Sequence, residues 1–143
     1  MVTMVRFVFY ARGHPRITAL HPTTLEVTKE EIKSDYGDCI VATSAEVGLA
    51  GLPEELKRAA RQGAEMVMMI EAGGLVERVR GRGHPSLTFS SESEMVVRRS
   101  RYLCERTLMV SSDKAAVDLD RALVKQLKNP DNRIKITLIV GEE

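Results

Sequence analysis

Apolar and polar residues alternate along most of this chain, and the spacing turns helical at only two places. Alternation places successive side chains on opposite faces of a strand, whereas recurrence every three to four residues marks one face of a helix. Strand patterns cover the run from Val5, LEVTK (Leu25 to Lys29), CIVATS (Cys39 to Ser44) and MVMMI (Met66 to Ile70). A second set covers the run from Leu75, MVVRR (Met95 to Arg99), TLMVSS (Thr107 to Ser112) and IKITLIV (Ile134 to Val140). A helix is predicted from about Asp113 to Lys128. There Ser112 stands as cap, Ala115, Leu119, Leu123 and Leu127 share a face, and Asn129-Pro130 is the stop. A shorter one follows Pro53, with Leu56, Ala59 and Ala60 inward, Lys57, Arg58 and Arg61 outward, and Gly63 at its end.

The two sets are copies of one unit. VRFVFYARGHPRIT, starting at Val5, lies over LVERVRGRGHPSLT, starting at Leu75, without a gap, and Arg12, Gly13, His14, Pro15 and Thr18 match Arg82, Gly83, His84, Pro85 and Thr88. CIVATS lies over TLMVSS after a small deletion, and the helices and last strands follow in the same order. Residues 5–72 and 75–140 therefore read as two strand-strand-strand-helix-strand repeats, joined at Gly73-Gly74. The expected fold is mostly β (α+β), sandwich or barrel-like, with pseudo-twofold symmetry and one helix per half. Each copy alone leaves strand edges and an apolar face uncovered, so one intertwined domain spanning residues 1–143 is expected.

Composition narrows the function. Three Phe, three Tyr and no Trp leave few platforms on which bases could stack. Twenty-one basic residues against twenty acidic ones predict no global attraction to nucleic acid or membrane. Arg outnumbers Lys two to one, a composition compatible with a thermophilic source. The apolar opening is interrupted by Arg6 and is too short to span a membrane, so a cytoplasmic protein is expected. Cys39 and Cys104 form no CxxC, and no HxH or HExxH occurs; neither a metal nor another cofactor is called for. Met66, Met68 and Met69 read as core filler.

Charge is uneven along the chain. Between Arg78 and Arg106 there are seven arginines (78, 80, 82, 98, 99, 101 and 106) against three glutamates, whereas residues 26–55 are acidic. A basic face on the second repeat could bind a phosphate-bearing partner, RNA or a nucleotide, through Arg82, Arg98, Arg99, Arg101 and Arg106. The repeated Gly-His-Pro would join it if the two loops converge, bringing Arg12, His14, Arg82 and His84 to one anion. The blander expectation for these loops is structural: an unusual backbone angle at Gly, a turn set by Pro, and His bridging backbone groups. A different constellation suggests a small hydrolytic enzyme, with His21, Glu26, Asp38 and Cys39 in one pocket; Thr24, Glu26 and Thr28 would share a strand face. A third reading is a structural subunit of a larger assembly, marked by an exposed apolar patch.

Taken together, the words GHP, ALHPTTLEVTKE, GDCIV, the second RGHP, RRS, RTL and DKAA resemble the archaeal domain-of-unknown-function family 371 over nearly the whole chain. The resemblance implies an archaeal cytoplasmic protein with a mostly β, sandwich-like fold and no assigned biochemical role. Its motif positions here are Gly13, His14, His21, Thr23, Thr24, Glu26, Asp38, Cys39, Gly83, His84, Arg98, Ser100, Arg106, Thr107, Asp113 and Lys114.

Overall fold

The computed structural model describes residues 4–32 and 37–141. The first half runs β1 (Val5–Arg12), β2 (Thr24–Thr28), β3 (Ile40–Ala42), a 3-10 turn (Leu49–Gly51), α1 (Glu54–Arg61) and β4 (Glu65–Ala72). The second half repeats that order with β5 (Leu75–Arg82), β6 (Glu94–Arg98), β7 (Thr107–Met109), a 3-10 turn (Ala116–Asp118), α2 (Arg121–Leu127) and β8 (Arg133–Val140). Two four-stranded sheets result, ordered β1-β8-β4-β5 and β3-β2-β6-β7, and each order is symmetric between the halves.

The strand pairing obeys a twofold rotation. In the second sheet the antiparallel pair Thr24–Arg98 becomes Glu94–Thr28, while Glu26–Val96 maps onto itself, so the axis passes between those two residues. In the first sheet it passes at Met69–Thr137. The halves are interleaved: β1 pairs with β8 and β5 with β4, and β2 and β6 adjoin at the centre of the other sheet. Isolated bridges, Arg12–Thr43 and Arg82–Val110, stitch the sheet edges together at opposite ends, giving a sandwich-like fold that is not closed into a barrel.

Alternation decides what is buried. Ile134, Ile136, Leu138 and Val140 of β8 and Met66, Met68, Ile70 and Ala72 of β4 face Leu25, Val27, Met95 and Val97 of the other sheet within one core. Leu56 and Ala60 of α1 and Leu123 and Leu127 of α2 enter the same core. Each leucine buried there contributes about 1.5–3 kcal/mol.

Several local expectations are corrected. α2 is seven residues rather than sixteen, because Asp120, not Ser112, caps it by accepting the Ala122 N–H at 2.7 Å. Upstream, the Asp118 carboxylate takes the Ala115 N–H, which turns that apolar stretch into a 3-10 turn that still buries Ala115 and Leu119. Lys57 points inward, and its Nζ donates to the Ala50 carbonyl at 2.9 Å. The halves align one residue differently from the sequence at the third strand, since Ile40 opposite Glu26 corresponds to Thr107 opposite Val96. Gly73 and Gly74, both at positive φ, make the two-residue hairpin turn between β4 and β5.

Candidate functional site

The outward face of β2 and β6 carries the densest chemistry. Leu25 and Val27 turn inward, so Thr24, Glu26 and Thr28 turn outward, and the register sets them opposite Arg98, Val96 and Glu94. The 99–106 segment folds back over this face: Arg98 lies over the Tyr102 ring at 4.9 Å, its Nε donates to Thr107 Oγ1 at 2.9 Å and its Nη2 to Cys104 Sγ at 3.2 Å. On the other side stand His21 and Cys39. Between them opens a cleft of about 340 Å³ lined by His21, Thr23, Thr24, Glu26, Cys39, Val96, Arg98 and Arg106.

His21 is held by its backbone neighbours. Its Nδ1 accepts the N–H groups of Thr23 and Thr24 at 3.2 and 3.1 Å. Because an amide can only donate, the ring proton sits on Nε2, which remains a donor with no protein partner among the described residues. In the other half Ser91 Oγ takes the equivalent N–H, that of Glu94, at 3.1 Å. Serine makes the same backbone cap there.

Glu26 is 8% exposed, and its carboxylate has no hydrogen-bond or ion-pair partner among the described residues. Burial, and then the charge of Glu94, push its pKa up to about 7, while Arg106 and Arg98 pull the other way without winning. Arg98 is the converse case. Only 9% exposed and always charged, it makes hydrogen bonds to a hydroxyl and a sulfur but forms no ion pair among the described residues. Arg106 is bound to Glu94 at 3.1 Å, which raises its pKa. Burial and the nearby Glu26 and Asp38 push the Cys39 thiol up to about 11, which keeps it protonated and a poor nucleophile at neutral pH. At Cys104 burial acts upward, but hydrogen bonds from the Arg106 N–H, Thr107 and Arg98 outweigh it and lower the thiol pKa.

Three of the four residues expected to form a catalytic pocket, His21, Glu26 and Cys39, thus share one cleft with Arg98 and Arg106, two of the arginines expected on a basic face. Asp38 sits next to it, and its backbone carbonyl accepts the N–H groups of Leu20 and His21. Tyr36, Asp35 and Lys33 lie outside the described residues. Among the described residues no cluster of three His, Cys, Asp or Glu side chains is placed to hold a metal.

The arginines of the second half divide between surfaces. Arg78, Arg80 and Arg82 alternate outward on β5 of the first sheet, Arg98 and Arg106 line the cleft, Arg99 pairs with Asp118 at 3.2 Å, and Arg101 is exposed in the loop after β6. They do not form one basic face.

The Gly-His-Pro turns do not converge either. They leave β1 and β5 at opposite edges of the first sheet, and each docks on the helix of the other half. The His14 N–H donates to the Leu127 carbonyl at the end of α2, and a Cβ on Gly13 would stand 2.1 Å from the Asn129 carbonyl oxygen. A Cβ on Gly83 would stand 1.9 Å from the Ala60 carbonyl oxygen of α1. Close approach, not an unusual φ, is the reason for these glycines; the positive φ angles fall later, at Ala19 and Phe89. His14 and His84 each use Nδ1 to accept the N–H two residues on, from Arg16 and Ser86. Lys128 and Arg61 complete the two docks by donating to the carbonyls of Ile17 and Leu87. No local pattern in the sequence points to these contacts between halves.

Comparison with known proteins attaches no activity to this site. The family model described as Domain of unknown function (DUF371) matches residues 9–141. An uncharacterised protein of Methanocaldococcus jannaschii is 37% identical over 124 residues, covering 87% of this chain and 92% of its own length.

Proposed function

Since the chain belongs to this family of unknown function, which supplies no reaction, we propose from the cleft itself that it binds a small phosphate-bearing molecule and that Glu26 exchanges a proton with it. The observation that carries this reading is a buried carboxyl without a partner beside a buried guanidinium without a counter-ion. Each is costly when left alone, because burial removes the water that would otherwise solvate it. A phosphate oxygen meets both needs: it accepts from Arg98 and Arg106 with charge-assisted hydrogen bonds, and it accepts from a protonated Glu26 and from His21 Nε2–H. A pKa of about 7 suits Glu26 to give or take a proton at neutral pH, the property required of a general acid or base. Arg82 lies on the other sheet, away from the cleft, which favours a compact molecule over RNA, and a cleft of about 340 Å³ is of small-ligand size.

The test is titration of the protein with inorganic phosphate, glycerol phosphate, adenosine monophosphate and acetate, followed by amide NMR. Saturable shifts at residues 21–26 and 96–106 are expected with the phosphate compounds, stronger at pH 6 than at pH 8 and weakened by Arg106→Gln. Shifts absent from these segments, or equal for acetate and phosphate, would remove the proposal.

A further inference from the structure

The outward face of the first sheet is a separate surface that the cleft does not use. Its strands turn their apolar residues to the core, so the opposite positions form a grid across β1, β8, β4 and β5. The edge strands carry arginine: Arg6 and Arg12 on β1, and Arg78, Arg80 and Arg82 on β5, all exposed. The two central strands carry Ile139, Val67 and Met69, all half-buried, with Thr137 among them and Lys135 and Arg133 towards the other end. Glu65 and Glu71 are the only outward carboxylates on these four strands, and Glu65 is engaged by Arg80 at 3.3 Å. At the axis, Thr137 Oγ1 is buried with no hydrogen-bond partner among the described residues. One end deepens into a depression of about 430 Å³ between Met4, Val67, Ile139, Arg78 and Arg80.

We propose that this face docks an acidic amphipathic helix of another protein. Three strand spacings separate the arginine rows by roughly 14 Å, and an α-helix with its side chains is about 10–12 Å across. A helix lying along the strands therefore sets its apolar stripe on Val67, Met69 and Ile139 and its flanking carboxylates against arginines on both sides. Single-stranded nucleic acid fits less well, because it needs aromatic platforms. Tyr10, the one aromatic among the outward positions of these strands, is already covered by the Arg133 guanidinium at 3.6 Å. The same face of a second copy would bring like charges together.

The probe is a synthetic helix of about five turns with a leucine stripe and glutamate flanks, compared with the same peptide carrying lysine flanks and with a uridine oligonucleotide. Binding is read by fluorescence anisotropy and located by amide NMR. The glutamate peptide is expected to saturate, with shifts on β1, β8, β4 and β5. Its affinity is expected to fall about tenfold or more both in Met69→Glu and in the double variant Arg78→Glu with Arg80→Glu, and to be unchanged in Arg58→Glu on the exposed side of α1. Equal binding of the lysine peptide overturns the proposal. So does oligonucleotide binding at this face without peptide binding, or loss of binding in the arginine variant with none in Met69→Glu, which would mark a surface that reads charge alone.

Discussion

The Gly-His-Pro turns and the β2–β6 cleft are both twofold pairs, but only the turns have kept the same residues on both sides of the axis. In the turns, Gly13 answers Gly83 and His14 answers His84, and both copies make the same backbone cap and the same dock on the opposite helix. In the cleft the backbone is equally symmetric, yet Glu26 answers Val96, His21 answers Ser91 and Cys39 answers Arg106. A position that serves the fold has the same task in each half and so the same residue. A site on the axis is shared by both halves, and divergence there places an acid on one side and cations on the other.

That contrast can be broken first at the docks. Gly83→Ala and Gly13→Ala drive a methyl into a helix carbonyl that is backbone and cannot swing aside. Each is expected to cost on the order of 3 kcal/mol, read as a lowered midpoint in chemical denaturation; an unchanged midpoint would show that the helices yield freely.

Next comes Glu26, whose folded-state pKa of about 7 lies above the ordinary glutamate value of 4.5. The folded protein therefore binds more protons than the unfolded chain between those values, so stability is greatest below pH 4.5 for this group and falls as pH rises through 7. Glu26→Gln removes the loss. It is expected to be more stable than the parent above pH 7, by up to on the order of 3 kcal/mol, with the difference fading towards pH 5. Denaturation curves at pH 5, 6, 7 and 8 measure it, and parallel pH profiles for the two proteins would refute it.

Smaller effects sharpen the comparison between histidines. His14→Ala or His84→Ala loses a backbone cap and is expected to cost about 1 kcal/mol without touching phosphate binding. His21→Ser installs the cap that Ser91 provides in the other half, so stability should change by less than about 0.5 kcal/mol while phosphate affinity falls. Thermal melts paired with phosphate titrations separate the two outcomes. Comparably small, Ser44 and Ser111 occupy equivalent positive-φ positions, and glycine at either is expected to stabilise by about 0.5 kcal/mol, measured as a small rise in melting temperature.

Much of the fold is written locally. Period-two alternation, the repeated Arg-Gly-His-Pro and the Gly73-Gly74 turn determine the strands, their repeated order and the turn that joins the halves, because side-chain direction and turn geometry depend on neighbours in the chain. Glu26, flanked by Thr24 and Thr28 on one strand face, was legible for the same reason. Tertiary structure decided which strands adjoin, and with that the meaning of the charges. Only the antiparallel register of β2 against β6 sets Arg98 opposite Thr24 and buries Glu26 beside Arg106, and only the opposite edges occupied by β1 and β5 keep His14 from His84. Contacts between residues seventy apart leave no periodic trace along a chain. Burial, which pushes the pKa of Glu26 up to about 7, is a property of what packs above it.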